Sequence, residues 1–238
     1  MTIEAAIFDM DGLLVDSEPI WHDVEIEVFG RHGVPLTVER CLETKGMFLG
    51  DAVAHWYARY PWSGASPDAV ADEIVQAMAA RLETTAELKP GAWHALEFCR
   101  ARGVSLALAS SSPHRLIDAA VQRLGLAGRF AVVHSAEDEV QGKPDPAIFR
   151  TTARLLGVSP DACVVFEDSA AGVLAAKGAG MVCVAVPEPD PTAASELPGA
   201  GGGGQTLMEV LTRADVVLGS LLELDDAVWD RLGAALGG

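Results

Sequence analysis

The sequence predicts an α/β protein, a doubly wound parallel sheet with an all-helical cap inserted near its start. Three observations predict it. Short apolar runs, each closed by polar residues and followed by a helical pattern, recur along the chain, as a parallel sheet with helical crossovers requires. The stretch after the first run carries helical periodicity and no good strand. Half of the 238 residues are hydrophobic, enough for a sizeable core.

The first run, Ala5-Ala6-Ile7-Phe8, reads as a buried strand, and Gly12 breaks it. Asp9 and Asp11 therefore stand where the strand opens into a loop. Alternate strand residues point the same way, so both carboxylates can face one site. Charges near an interior need a compensating cation or metal. Residues 17 to 88 then interrupt the alternation. Segments 19–32, 48–60 and 67–86 show helical spacing, and Ser66-Pro67-Asp68 is a good helix start. This predicts a cap over residues 17–88 and a core over 1–16 and 89–238, with linkers near Asp16 and at Lys89-Pro90-Gly91. The two tyrosines and three of the five tryptophans, Trp21, Trp56 and Trp62, fall in the cap. Most of these aromatics read as its interior. Trp21 lies one helical turn past Ser17, where it can face a substrate.

The core resumes with Val104 to Ala109, followed by Ser110-Ser111-Ser112-Pro113. Serines ahead of a helix either cap it or offer hydroxyls and backbone N–H groups to a phosphate. After the apolar stretch Phe130 to Val133 comes Gly142-Lys143-Pro144-Asp145-Pro146. Asp145 reads as an N-cap with Pro146 first in the helix, which leaves Lys143 in a stiff loop. Cys163 to Phe166 is followed by Glu167-Asp168-Ser169 and an Ala- and Gly-rich helix. Strand-like runs recur at 181–186 and 215–218. The Pro- and Gly-rich stretch Pro187 to Gly204 between them reads as a flexible surface loop. Polar groups that follow four strands of a parallel sheet meet along its carboxyl edge, where ligands bind. That edge would hold three or four carboxylates, one lysine and a serine-rich anion cradle, the equipment for phosphoryl transfer with a hard cation.

The order Asp9-x-Asp11-Gly12, Ser110, Lys143-Pro144, Glu167-Asp168 resembles the four motifs of the haloacid dehalogenase superfamily, over nearly the whole chain. Phe8 to Pro19 and Phe166 to Gly172 resemble its beta-phosphoglucomutase-like branch. Trp56 to Trp62 is similar to the cap of hexitol and 2-deoxyglucose 6-phosphate phosphatases. The resemblance implies a Rossmann-like core and a magnesium-dependent phosphatase of small sugar or polyol phosphates. Asp9 would be the nucleophile, and Asp11 the acid to the leaving oxygen and then the base for water. Ser110, the Ser111 backbone and Lys143 would hold the phosphoryl oxygens. Magnesium would take Asp9, the Asp11 backbone carbonyl and Asp168, with Glu167 supporting them from behind. Trp21 and Lys45 are the candidate substrate contacts in the cap. His114, just after the serines, is a further candidate near the site.

The alternative within the same family is a phosphomutase. Those enzymes hold a second phosphate on a Lys-Gly-x-x-Arg segment, and here Lys45-Gly46-Met47-Phe48-Leu49 ends in leucine. Their histidine after the catalytic loop is replaced by Trp21. Both departures favour water as the final acceptor. A non-catalytic binder of phosphate esters on the same fold is the third reading. The net charge of −17 argues against nucleic acid and anionic membranes, and no apolar run reaches 18 residues. Four cysteines show no metal spacing. A cytoplasmic monomer is expected.

Overall fold

The computed structural model describes residues 2–44, 47–187 and 207–236. Six parallel strands form one sheet in the order β3-β2-β1-β4-β5-β6. They are β1 (Ala5–Phe8), β2 (Ser105–Ser110), β3 (Val132–Ser135), β4 (Cys163–Glu167), β5 (Val182–Ala185) and β6 (Val216–Val217). The chain therefore winds outward from β1 in both directions. The switch point, where such sheets open a crevice, lies between β1 and β4. The apolar runs read from the sequence all fall on strands. The run at Phe130–Val133 starts its strand later, because Val132 to Ser135 pair with Ala107 to Ser110.

Strand side chains sort by parity onto two buried faces, as expected when helices cover both sides. Ala6, Phe8, Leu108, Val164 and Phe166 join one apolar cluster. Ala5, Ile7, Ala107, Val165 and Cys183 join the other. The first face is covered by α5 (Ala92–Ala101), α6 (His114–Arg123) and α10 (Asp226–Ala235). The second is covered by α7 (Ala147–Leu156), α8 (Ala170–Gly178) and α9 (Leu207–Leu211). Phe8 and Phe166, register partners on β1 and β4, stack with ring centroids 4.6 Å apart.

Between β1 and α5 the described residues form α1 (Glu18–Arg31), α2 (Val38–Cys41), α3 (Leu49–Arg59) and α4 (Pro67–Thr85). Ser66 caps α4 as read, its Oγ accepting from Ala69 N at 3.2 Å. Trp56 is fully buried and donates to Thr44 Oγ1, and Trp62 is nearly so, which makes both part of the segment's interior. Helix α4 packs on α1 and α3 and also along α6 of the core, so one apolar cluster runs through both regions. The two crossings lie side by side. Asp16 N donates to Glu87 O, Lys89 N donates to Leu14 O, and Val15 and Leu88 form an antiparallel bridge. Among the described residues no helix is long and apolar enough to cross a membrane. The four cysteines are unpaired and buried. Beyond Pro187, the glycine-rich stretch predicted as a loop lies outside the described residues, as does Lys45.

Candidate active site

The register of the sheet assembles the site. Phe8 lies opposite Phe166, and Asp9 N extends the ladder by donating to Phe166 O at 3.0 Å. The residues that follow, Asp9 and Glu167, thus straddle the switch point. Lys143 reaches them from the loop before α7. Its Nζ donates to Asp9 Oδ1 at 2.6 Å, to Glu167 Oε1 at 2.5 Å and to Ala109 O at 3.3 Å. The lysine lies 5.0 Å above the Phe149 ring and its side chain is 4% exposed. A lone loop lysine would normally face water. Here burial opposes its charge, but Asp9 and Glu167 outweigh burial and hold the ammonium firmly protonated.

One lysine does not balance this cluster. Asp9, Glu167 and Asp168 each offer a carboxylate oxygen, and these lie within 4.8 Å of one another. Burial is the largest influence on Asp9 and pushes its carboxyl up to about 8 against the pull of Lys143. An ionised Asp9 therefore needs further positive charge beside it. An all-oxygen set of this kind suits a hard divalent cation such as magnesium. The family resemblance implied Asp168 on the metal with Glu167 behind it, and the structure brings both within reach of Asp9. Glu167 is also tied to Lys143 and accepts from Ser169 N and Oγ at 3.2 and 3.0 Å. Ser169 Oγ in turn accepts from Gly172 N and so caps the start of α8.

Asp11 turns another way. Its Oδ2 accepts from Ser112 Oγ at 2.8 Å and from Ser110 Oγ at 3.2 Å. Its Oδ1 accepts from Trp21 Nε1 at 3.4 Å. The Asp11 carboxylate, tied to the serines and Trp21, thus lies outside the Asp9–Glu167–Asp168 group. The serine cluster is not used for capping: Pro113 precedes α6 with no side-chain cap. Ser112 went unassigned in the sequence because its contact with Asp11 spans 101 residues. The start of α7 falls one residue later than read: Pro146 takes the N-cap position, and Asp145, one place further out, accepts from Ala147 N at 2.9 Å. His114 pairs instead with Asp138, Nε2 to Oδ2 at 2.7 Å, and is half exposed.

Three glycines make the site's close approaches. Gly12 has φ +77°, and a Cβ there would strike Asp168 Oδ2. A Cβ on Gly172 would fall inside the Glu167 carboxyl group. Gly142, next to Lys143, lies against the ring of Phe48, and a side chain on it would occupy the ring's place. Phe48 comes from the segment between β1 and β2, so it joins that segment to the lysine loop.

The family model for haloacid dehalogenase-like hydrolases matches residues 3–180. Hexitol phosphatase B of Escherichia coli (strain K12) is 38% identical over 189 residues, 79% of this chain and 85% of that protein. Validoxylamine A 7'-phosphate phosphatase of Streptomyces hygroscopicus subsp. limoneus is 31% identical over 230 residues, 97% of this chain and 98% of its own. Among solved structures, CbbY from Rhodobacter sphaeroides in complex with phosphate superimposes with a TM-score of 0.80 at 26% identity, over 96% of this chain and 100% of that one.

Proposed function

This chain belongs to the haloacid dehalogenase-like hydrolase family, and on that premise we propose that it is a magnesium-dependent phosphatase of small phosphorylated sugars and sugar alcohols. One observation carries the reading. A single buried lysine bridges Asp9 and Glu167 at the switch point, with Asp168 in the same oxygen cluster and Asp11 poised beside it. The relatives' names, hexitol phosphatase B and validoxylamine A 7'-phosphate phosphatase, support a small phosphorylated substrate.

In the proposed reaction Asp9 attacks phosphorus in line. The bond from its Oδ to phosphorus forms as the bond from phosphorus to the sugar oxygen breaks, and Asp11 gives that oxygen a proton. Water then attacks the aspartyl-phosphate. Asp11 takes the water's proton, the Asp9–phosphorus bond breaks, and inorganic phosphate leaves. Lys143, Ser110 and the Ser111 backbone hold the phosphoryl oxygens as charge builds. Asp9 and Asp168, with Glu167 behind or beside them and the Asp11 carbonyl, would hold the metal. When bound, it supplies the positive charge that lets an ionised Asp9 share the site with a phosphate dianion. Residues 17–88 serve as the cap, and substrate size is set where Trp21 and Phe48 meet the core.

A phosphate-release panel of hexose, 2-deoxyhexose, hexitol, pentose and glycerol phosphates tests this, with magnesium and with a chelator. Release from hexitol or hexose 6-phosphates, lost with the chelator and lost in Asp9→Asn, is the expected result. Glucose 1-phosphate with a bisphosphate primer, added to the panel, would yield glucose 6-phosphate only from a mutase. Magnesium-dependent ester binding without turnover in the unaltered protein would refute the phosphatase and leave a binder.

A further inference from the structure

Asp11 is held by side chains from two regions that meet only in the folded protein. The serine side belongs to the sheet. Ser110 ends β2, its Oγ accepts from Ser112 N at 3.0 Å, and Ser135 at the end of β3 donates to Ser112 O at 2.7 Å. Ser110 and Ser112 are both buried, so their hydroxyls are fixed by this lattice and not by solvent. The other side belongs to α1, where Trp21 brings its indole N–H to Asp11 Oδ1. Trp21 is itself anchored, its backbone N–H donating to Ser17 O and its ring partly buried against the apolar cluster.

The chemistry of the two donors differs. A serine hydroxyl either donates or accepts, so Ser112 can stay bonded to Asp11 whether or not the carboxyl carries its proton. An indole N–H only donates and has no proton to exchange near neutrality. It can fix a carboxyl group without entering proton transfer. A bond of 3.4 Å is long for this donor and is weak as a source of stability. Its value is directional, because the two oxygens of Asp11 are then tied to different elements and the carboxyl plane cannot turn freely.

We infer that Trp21 is a positioning residue for Asp11, holding Oδ1 from α1 while Ser112 holds Oδ2 from the sheet, so that the acid is aimed only while α1 is seated. This rests on the phosphatase reading and adds to it. Acid–base help then depends on contact between the inserted helices and the sheet, and the aromatic face of Trp21 is not spent on the sugar alone.

The test uses esters that differ in their need for a proton. p-Nitrophenyl phosphate leaves without one, whereas a hexitol 6-phosphate and glycerol 3-phosphate both expel an alkoxide. The readout is kcat/KM, which reports the steps up to transfer onto Asp9. Trp21→Phe keeps the ring and removes the N–H. It should lower kcat/KM by about 10- to 100-fold on both alkyl esters, a share of the ~10²–10⁴ that a positioned acid contributes. On the aryl ester it should change kcat/KM by less than about 3-fold. Ser112→Ala, removing the shorter of the two serine bonds to Oδ2, should show the same pattern and stands as the second variant if Trp21→Phe does not fold. An equal loss on all three esters would overturn the inference in favour of a structural role. Loss on the hexitol ester alone would overturn it in favour of a sugar contact. If the unaltered protein hydrolyses none of the three, the phosphatase reading fails first and takes the inference with it.

Discussion

Substituting Gly172 by alanine isolates one close approach on which the site depends. The glycine lies in the first turn of α8, directly against the Glu167 carboxyl group. An added Cβ would sit well inside the 3.0 Å that real contacts keep, so the carboxylate must retreat by about an ångström. Glu167 has no room to do so. It is fully buried, bonded to Lys143 at 2.5 Å and held twice by Ser169. Displacing it breaks a buried ion pair, a loss of about 3–5 kcal/mol, of which repacking and water entry recover a part. A net destabilisation of about 3 kcal/mol would lower the melting temperature by roughly 6–12 °C in a chain of this size. Phosphate release should fall at least ~100-fold, because the same shift unseats Lys143. Gly178, the last residue of the same helix, is the control. Its added Cβ would meet Pro146 at 3.5 Å, ordinary contact, and alanine there should be neutral or stabilising by up to about 1 kcal/mol. Thermal melts and phosphate release on both variants read the result. Wild-type stability and turnover in Gly172→Ala would refute the reasoning, as would equal losses in the two variants.

Two further outcomes follow from the same electrostatics. Lys143→Met removes the one cation shared by Asp9 and Glu167 and should cut kcat by about 10²–10³; a stopped assay of phosphate release on a hexitol phosphate reads it. In α1, burial pushes the Glu25 carboxyl up to about 7, against the opposing bond from the Cys41 thiol. A raised carboxyl favours the fold while protonated, so its contribution is complete below about pH 4.5 and is lost as pH rises through about 7. Glu25→Gln should flatten the decline in melting temperature over that window and melt higher than the unaltered protein at pH 8.

The strands were legible because each is a short apolar run closed by polar residues, and Ser66-Pro67 announced α4 just as plainly. The helix at Val38–Cys41 was not, since four residues are too few to display a period. Asp9, Lys143, Glu167 and Asp168 could be placed at one edge from their positions after strands. Which atoms meet could not, because that depends on register: Asp9 faces Glu167 only because Phe8 pairs with Phe166. Ser112 and Trp21 share Asp11 through contacts 101 and 10 residues apart, and both were open to local readings as a cap and as a sugar platform. Gly142 and Gly172 carry no local signal whatever. Neither has the positive φ that marks a turn, and the space each leaves is filled by a distant side chain.

The adjacent crossings at Leu14–Asp16 and Glu87–Lys89 give the molecule a socket. Bridged antiparallel strands hold their α-carbons about 4.5–5.5 Å apart, so everything between residues 17 and 88 enters and leaves through one narrow gate. A helical insert whose ends meet at that spacing, and which offers α6 an apolar face like that of α4, can be seated without disturbing the register that sets Asp9 against Glu167. Substrate preference can then drift by exchange of such an insert while Asp9, Lys143 and Glu167 keep their places on the sheet edge. A chimera carrying a relative's insert between Asp16 and Lys89 should fold and take on the donor's preference, provided the donor supplies an apolar face for α6 and its own partners for Asp11 and Gly142.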